Sequence, residues 1–402
     1  MNVQRLRGAL HDLPMAWLQL KRQPIRYLVA VTGIGFAALL MFMQLGFQSG
    51  LLTSATTFYE ALITDLVVIS PGTRDSGSFQ QFPQSQLYQA LGVEGVEQVI
   101  PLYVANVSTQ QMGGIKPTSL RLIGFDPDQR ILKLPDVGDQ LDLIKTPGYV
   151  LFDSAGNSNT GPIAQAIREQ GAQTLILSDF SKTFRAVGLF KLGSTFAADS
   201  NLISSDSTAI QLAYKQINEG EISMGLVRVR RPADVAPVQR HLRALYGSQL
   251  LVFTKPELIA NEQNYWNTSS SFGVIFGFGT IMGLLVGGVI VYQVLYTDVS
   301  DHLQEYATLK ALGFKNRFLL ALVLQEAAIL AISSFIPAVI GATAMYAFLT
   351  AVSGIRIEMT GDKTLLVFSL TMGVCGASAA IDRSTILSIS PRSNQMPRHF
   401  GQ

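Results

Sequence analysis

Four long stretches without a charged residue interrupt an otherwise mixed sequence, at residues 27–59, 263–297, 327–355 and 364–381. A helix needs about 20 mostly apolar residues to cross roughly 30 Å of hydrocarbon, and each stretch approaches or exceeds this length. We therefore predict an integral membrane α-helical protein with four transmembrane helices in a 1+3 layout. A large domain is inserted between the first and second helices.

The predicted segments follow one another as a series of membrane and water-exposed parts. In chain order they are a cytoplasmic amphipathic N-terminal helix over 1–24, a first membrane helix over 25–50, a periplasmic α+β domain over 51–268, a second membrane helix over 269–297, a cytoplasmic connector helix over 298–317, a third membrane helix over 318–350, a periplasmic loop over 351–363, a fourth membrane helix over 364–382 and a cytoplasmic tail over 383–402.

The inserted domain alternates short runs rich in Val, Ile and Leu with runs of helical periodicity. Strands are predicted at 62–70, 96–107, 119–125 and 225–230, and helices at 84–91, 207–217, 233–246 and 255–266. Because these strands and helices do not alternate regularly as βαβ units, the domain is predicted to be α+β. A division of this domain into two lobes is left open.

The charges beside the apolar stretches predict the orientation in the membrane. Only Asp12 opposes the five cations that precede the first helix, which are Arg5, Arg7, Lys21, Arg22 and Arg26. Lysine and arginine are enriched on the cytoplasmic side of membrane helices, so both termini and the connector are expected in the cytoplasm. A cleaved signal peptide is the alternative for the N-terminus, but the apolar run is longer than a usual signal sequence and lacks a clear cleavage site.

The overall composition agrees with a membrane protein. Of 402 residues, 48% are hydrophobic and only 14% are charged, against about 25% charged in soluble domains. The net charge is +2, and the lysines and arginines are not clustered in one part of the sequence, so nothing supports nucleic-acid binding. Cys375 is the single cysteine, which excludes a disulfide within the chain.

Three glycines spaced four residues apart lie in the second apolar stretch: Gly279, Gly283 and Gly287. Glycines at this spacing share one helix face and allow another backbone to approach closely in lipid. They predict a helix-packing seam, either within the chain or at a dimer axis. General enrichment of glycine in membrane helices is the alternative.

The connector after the second stretch predicts a short amphipathic helix. Leu303, Leu309 and Leu312 fall on one apolar strip, and Gly313 suits a helix C-terminus. Asp301 near the start and Lys310 near the end suit the helix dipole. Such a helix is equally typical of a rigid lever for a cytoplasmic partner and of a solvated turn that closes a hairpin.

Glu326 is an isolated carboxylate in an apolar stretch, where a charge is costly unless it faces protein or water. It is a candidate proton or substrate site, with a structural role as the alternative. No phosphate-binding loop, zinc-ligand spacing or hydrolase elbow occurs in the sequence. We therefore expect no catalytic residue, metal or cofactor in this chain.

Three segments resemble the DevC-type permeases of cyanobacterial exporters, within the wider superfamily of MacB and FtsX permeases. They are Pro14–Leu20 continuing through Met41–Phe47, then Val289–Val299, and then Glu305–Gly313. Residues 382–391 depart from the basic, D-P-A-[DE]-x-F-like ending typical of that family. An ATPase contact by the tail is therefore in doubt.

The resemblance implies a homodimer in which each subunit binds a separate ABC ATPase chain, which would itself bind ATP. It implies that the connector is a coupling helix, whose ATPase-contacting residues would be Glu305, Ala307, Leu309, Lys310 and Gly313. It also implies that the outer domain docks a periplasmic membrane-fusion adaptor that leads to an outer-membrane channel. DevC-type permeases are associated with glycolipid export, but we carry over the class of exporter and not its cargo.

Two other functions stay open at this stage. An FtsX-like subunit would use the same lever to control a periplasmic cell-wall hydrolase instead of transporting a substrate. A membrane receptor with an outer sensor domain would need a cytoplasmic signalling module, and the segment after Ile381 is short.

Overall fold

The computed structural model describes residues 24–110, 117–178, 182–269, 271–301, 308, 312 and 316–381. The predicted N-terminal amphipathic helix, the tail over 383–402 and most of the connector lie outside these residues. The described chain divides into two compact units. The first contains residues 24–47, 275–346 and 358–381, and the second contains residues 48–274 and 347–357.

Helices form both ends of the described chain and flank the strands of its middle part. In chain order the α-helices are α1 Pro24–Ala61, α2 Gln84–Gln89, α3 Gly161–Gln170, α4 Asp206–Leu212, α5 Val235–Tyr246, α6 Lys255–Asn264, α7 Ser271–Asp301, α8 Asn316–Ser353 and α9 Gly361–Ile381. A π-helical turn, Tyr265–Ser269, joins α6 to the region of α7. Short 3₁₀ helices occupy Ala90–Gly92, Gly138–Lys145, Ser158–Thr160 and Pro232–Asp234.

Within the described residues, three helices contain stretches long and apolar enough to cross a membrane: Pro24–Ala61, Phe272–Ile290 and Val323–Ser353. The fourth predicted span forms α9, a helix of 21 residues, and its place in a membrane stays a prediction. The helices run past several predicted boundaries. For example, α8 continues to Ser353 and stops where Gly354 adopts a φ of 71°, a conformation that glycine accepts most easily.

The second unit is built on a nine-stranded sheet. Its strands and those of a small two-stranded sheet are β1 Leu66–Ile69, β2 Phe82–Pro83, β3 Val96–Ser108, β4 Ser119–Phe125, β5 Tyr149–Asp153, β6 Gln173–Ile176, β7 Thr183–Phe190, β8 Ser200–Ser205, β9 Glu221–Ile222, β10 Met224–Val229 and β11 Leu251–Thr254. The large sheet has the order β11-β1-β10-β3-β4-β8-β5-β7-β6, and β2 pairs with β9. The β4–β8 and β5–β7 pairs are parallel, and the other pairs are antiparallel.

Alternate residues of the strands supply two hydrophobic cores, one on each face of the sheet. In β4, Leu120 and Leu122 join one core, and Ile123 and Phe125 join the other. Side chains of a strand point to opposite faces in turn, so a sheet covered on both faces needs apolar residues at nearly every position. This explains why β1 is buried throughout.

The predicted α+β pattern is confirmed in the second unit, and the strand over 119–125 matches β4 at both ends. One continuous nine-stranded sheet stands in place of the alternative of two lobes. Strand β8 was not predicted from the sequence. Its residues, SNLISS, include four buried polar side chains. Such a composition is more typical of a loop than of a central strand.

Candidate functional site: the helix seam and the junction cluster

Only three residues of the connector between Asp301 and Gly313 are described. Asp301 ends α7, and the N–H of Leu312 donates to the carbonyl of Thr308 over 3.0 Å. Leu312 is 71% exposed, so its side chain is available to a partner. The other predicted coupling residues lie outside the described residues; they are Leu303, Glu305, Ala307, Leu309, Lys310 and Gly313.

The glycine face of α7 lies against α1 of the same chain. A Cβ atom added at Gly279 would lie 2.4 Å from Gln44, and one added at Gly287 would lie 3.0 Å from Ala37. The Gln44 side-chain amide also donates to the Phe276 carbonyl over 3.1 Å. In the absence of a hydrophobic driving force in lipid, such close backbone approach supplies the packing contacts between helices.

The remaining glycine contacts continue this seam along both helices. A Cβ at Gly283 would lie 3.5 Å from Met41, and one at Gly33 would lie 2.9 Å from Ile290. As the residue numbers of these contacts increase along α7, those of their partners in α1 decrease, so the two helices pack antiparallel. The seam gives the three predicted glycines a partner within the chain.

A different set of α1 residues contacts α8. A Cβ added at Gly46 would lie 2.4 Å from the ring of Tyr346. The Tyr346 hydroxyl donates to the carbonyl of Phe42, and the Phe42 ring lies 5.8 Å from that of Phe335. Helix α1 thus packs against both α7 and α8 in the first unit.

Glu326 of α8 is 2% exposed. Val323, Ala327 and Leu330, which share its part of the helix, belong to a small apolar cluster with α1 residues. A carboxylate at such a position is costly in an apolar setting and is retained where it has a structural or functional use. Its use in proton or substrate transfer stays a proposal.

In the second unit, a buried polar group ties the end of α1 to the start of the π-helical turn. We call Tyr59, Ser76, Arg121, Glu262 and Trp266 the junction cluster. Glu262 is 2% exposed. Its Oε1 accepts from the Ser76 backbone N–H and from the Trp266 Nε1–H, both over 2.9 Å. Its Oε2 accepts from the Tyr59 hydroxyl over 3.5 Å.

Burial dominates the electrostatics of the junction cluster. It raises the pKa of the Glu262 carboxyl, although hydrogen bonds from Ser76 and Trp266 oppose this effect. It lowers the pKa of the Arg121 guanidinium, and electrostatic interactions with Tyr59, Glu262 and Asp75 oppose this effect. Arg121 also stands over the Phe58 ring at 5.8 Å. The Arg121 guanidinium donates to the Thr195 hydroxyl over 3.4 Å, while its buried Nε and Nη1 atoms have no hydrogen-bond partner within the described residues.

A second tie in this unit involves the last residue of α8 and the segment that follows it. The Ser194 hydroxyl donates to the Ser353 carbonyl over 2.6 Å. Gly354 lies so close to Gly156 that an added Cβ would be 2.6 Å from its carbonyl group. An added Cβ at Gly50 of α1 would lie 2.9 Å from Ile357. Residues of α1, of the sheet domain and of the segment after α8 are therefore packed together.

Neither tie was predicted from the sequence. Arg121 could have indicated the junction cluster from the sequence, because it is a single cation inside an apolar strand. Within the described residues, no group of three or more His, Cys, Asp or Glu side chains is arranged to hold a metal ion. The expectation that the chain needs no metal or cofactor stays a prediction.

Residues 269–391 match the family described as FtsX-like permease C-terminal. This part of the chain contains an FtsX-like permease domain. The match supports the MacB and FtsX superfamily that the sequence resembles. The narrower DevC-type assignment stays a prediction. The curated proteins include no match to this chain.

Three solved domains of bacterial proteins are similar to about half of this chain. The periplasmic region of MacB from Actinobacillus actinomycetemcomitans is 17% identical, with 51% of this chain and 94% of that chain covered and a TM-score of 0.33. The extracellular domain of the noncanonic ABC-type transporter YknZ from Gram-positive bacteria is 14% identical, with 48% and 99% covered and a TM-score of 0.31. A domain of a permease protein from Porphyromonas gingivalis is 13% identical, with 48% and 88% covered and a TM-score of 0.28.

Proposed function

We propose that this chain is the permease subunit of an ATP-driven tripartite exporter of a lipid or other amphiphilic substrate. The observation that carries the proposal is the FtsX-like permease match of residues 269–391. The three helices that are long and apolar enough to span a membrane support it. The chain is not itself an enzyme in this proposal, because a separate ABC ATPase subunit binds and hydrolyses the nucleotide.

The proposed mechanism transmits force through the membrane without a pore in this chain. Closure of the ATPase subunits pushes on the connector over 301–313, which is continuous in sequence with α7 and leads into α8. The glycine seam couples α7 to α1, and the contact of Tyr346 with Phe42 couples α8 to α1. Close-packed contacts of this kind transmit displacement because packed interiors have low compressibility.

The ties in the second unit would convert that displacement into a change of the outer domain. The last turns of α1 contribute Tyr59 to the junction cluster, and the end of α8 is held through Ser353. A shift of either helix therefore changes contacts of the sheet domain directly. In the proposed assembly, that change expels a substrate that is already on the outer side or in the outer leaflet.

The proposed assembly has a defined set of partners and a defined location. It is a homodimer in the inner membrane, with both termini in the cytoplasm, a periplasmic membrane-fusion adaptor on the outer domain and an outer-membrane channel reached through that adaptor. The proposed cargo is an amphiphile, and the glycolipid cargo associated with DevC-type permeases is not carried over to this chain.

The experiment that tests the proposal is co-purification of the tagged full chain from its native membranes, with ABC ATPase subunits in the eluate identified by mass spectrometry. Leu312→Asp places a charge on the exposed apolar side chain of the connector, so it should abolish the complex. Leu91→Asp is the matched control, because Leu91 is also exposed, at 52%, but belongs to the sheet domain. A complex that survives Leu312→Asp contradicts the proposed lever.

Co-purification also separates export from the alternative FtsX-like role. An exporter should bring down an adaptor of the membrane-fusion type together with the ATPase. Recovery of a cell-wall hydrolase in place of an adaptor would favour the alternative, in which the same lever controls a periplasmic enzyme.

A further inference from the structure

The second unit contains an open cavity of about 410 Å³ directly beside the end of α1. Its accessible apolar floor is formed by Ile63, which is 39% exposed, the half-buried Leu134 and the exposed Pro135, whereas Phe125, Ile131 and Val137 line it but are at most 2% exposed. Ligand sites in proteins are typically cavities of roughly 300–1,000 Å³ lined mainly by apolar side chains with a few polar groups. This cavity has the size and the lining of such a site.

Two cationic side chains line the cavity. Arg130 and Lys133 line it and are exposed. Two further cations stand beside the same turn: Arg228 donates to the Ile63 carbonyl over 3.3 Å, and Lys255 donates to the Leu62 carbonyl over 2.8 Å. Burial lowers the pKa of Lys255, Glu60 opposes this effect, and Lys133 adds to it. The cavity thus combines an apolar floor with a positive rim, although Asp139 also lines it.

The cavity wall is connected to α1 through the backbone. The Ile63 N–H donates to the Ile131 carbonyl and the Lys133 N–H donates to the Ala61 carbonyl, each over 2.7 Å. The loop that carries Arg130 and Lys133 is therefore paired with the residues at the end of the helix. A ligand that moved this loop would act on α1, the helix that the proposed mechanism uses to transmit force.

We propose that this cavity binds an anionic amphiphile, with its alkyl chain on the floor formed by Ile63, Leu134 and Pro135 and its charged head beside Arg130 and Lys133. The inference rests on the proposed function, since it assigns the substrate class a position in the outer domain. Charge complementarity selects this occupant: a free inorganic anion would leave the apolar floor uncovered, and a neutral amphiphile would not use the cationic rim.

The test uses the full chain in nanodiscs of zwitterionic lipid and photoactivatable dodecanoate as the probe, with cross-linked peptides mapped by mass spectrometry. Mapping separates labelling of the cavity from probe that merely dissolves in the bilayer. We expect cross-links in residues 126–141, and about fivefold fewer of them in the Arg130→Gln/Lys133→Gln variant, from the loss of two exposed charge interactions. The Arg74→Gln/Arg240→Gln variant removes two exposed cations elsewhere and should label like the original chain.

Three results would overturn the inference: no cross-link in residues 126–141, equal labelling of the two double variants, or loss of labelling in an excess of inorganic phosphate. The last result would mean that the site recognises a free anion and not an amphiphile. Binding of the ATPase is measured on the same preparation. Loss of cavity labelling in a chain that still binds its ATPase rejects this inference alone, whereas cavity labelling of a chain that binds no ATPase rejects the proposed function.

Discussion

The indole Nε1–H of Trp266 donates to the Oε1 atom of Glu262 over 2.9 Å, and the Glu262 side chain is almost completely buried. The bond connects Trp266 in the π-helical turn to Glu262, which lies four residues earlier in α6. Because the same oxygen accepts from Ser76, one carboxylate organises a loop, a helix and the π-helical turn. The junction cluster therefore depends on the charge state and the acceptor geometry of Glu262.

Replacement of Glu262 by Gln tests the role of its charge. Burial raises the pKa of Glu262, so the folded protein holds this proton more tightly than the unfolded chain does. The stability that this proton contributes is complete below the unfolded pKa and is lost as the pH rises through the folded pKa. We expect the melting temperature of Glu262→Gln to rise relative to the original chain as the pH increases through that window.

Glu257→Gln is the control, because folding lowers the pKa of Glu257 instead of raising it. Burial alone would raise the pKa of Glu257, but hydrogen bonds from Thr254 and Gln239 and the charge of Arg243 lower it overall. Its stabilising contribution is present above the unfolded pKa and is lost as the pH falls through the folded pKa. If both variants change in parallel with pH, burial of Glu262 does not explain the trend.

A methyl group at Gly46 should disrupt the packing of α1 on α8. Gly46→Ala places a Cβ 2.4 Å from the Tyr346 ring, whose hydroxyl is hydrogen-bonded to Phe42 and cannot move freely. Overpacking of this kind costs about 1–3 kcal/mol. Thermal unfolding in detergent should show a lower melting temperature.

Gly277→Ala is the matched control for this substitution, because nothing lies within 4 Å of a Cβ at Gly277. Both changes add one methyl group to an apolar helix, so a general effect of alanine appears in both variants. Equal melting temperatures for the two variants would contradict the α1–α8 contact.

Lys255 should stabilise the C-terminal end of α1. Its ammonium donates to the carbonyls of Glu60 and Leu62 over 2.7 and 2.8 Å, where the helix leaves carbonyl groups unpaired and carries its negative dipole end. Lys255→Met keeps most of the aliphatic length but removes both bonds. We expect a loss of about 1–2 kcal/mol in the free energy of unfolding.

Lys191→Met serves as the control for this change, because Lys191 is an exposed lysine of the same unit. Chemical denaturation monitored by tryptophan fluorescence compares the two variants. A Lys255→Met protein as stable as Lys191→Met would show that the ammonium does not hold the end of α1.

The sequence allowed prediction of those parts of the structure that depend on local pattern. Long apolar runs predicted α1, α7 and α8, and the glycine spacing predicted a seam whose partner only the structure identifies as α1. Buried strands rich in Val, Ile and Leu, such as β4, were recognisable for the same reason. In each case the signal resides in neighbouring residues.

The parts that could not be predicted depend on contacts between distant residues. Glu262 contacts Ser76 across 186 positions of the sequence, and Ser194 contacts Ser353 across 159. Neither pair has a local pattern that distinguishes it from ordinary surface polar residues. Strand β8 is similar, because its serines and Asn201 are compatible with a sheet interior only where the folded chain supplies hydrogen-bond partners such as Asp153.

The most direct test of the account is the location of the connector. In a Cys375→Ser background, Thr308→Cys places a single thiol on a described, exposed connector residue, and Glu219→Cys places one on the exposed surface of the sheet domain. A membrane-impermeant maleimide is applied to intact and to lysed spheroplasts. The account predicts that Glu219→Cys reacts in both and that Thr308→Cys reacts only after lysis. Labelling of Thr308→Cys in intact spheroplasts would put the connector beyond the reach of any cytoplasmic ATPase and would contradict the account.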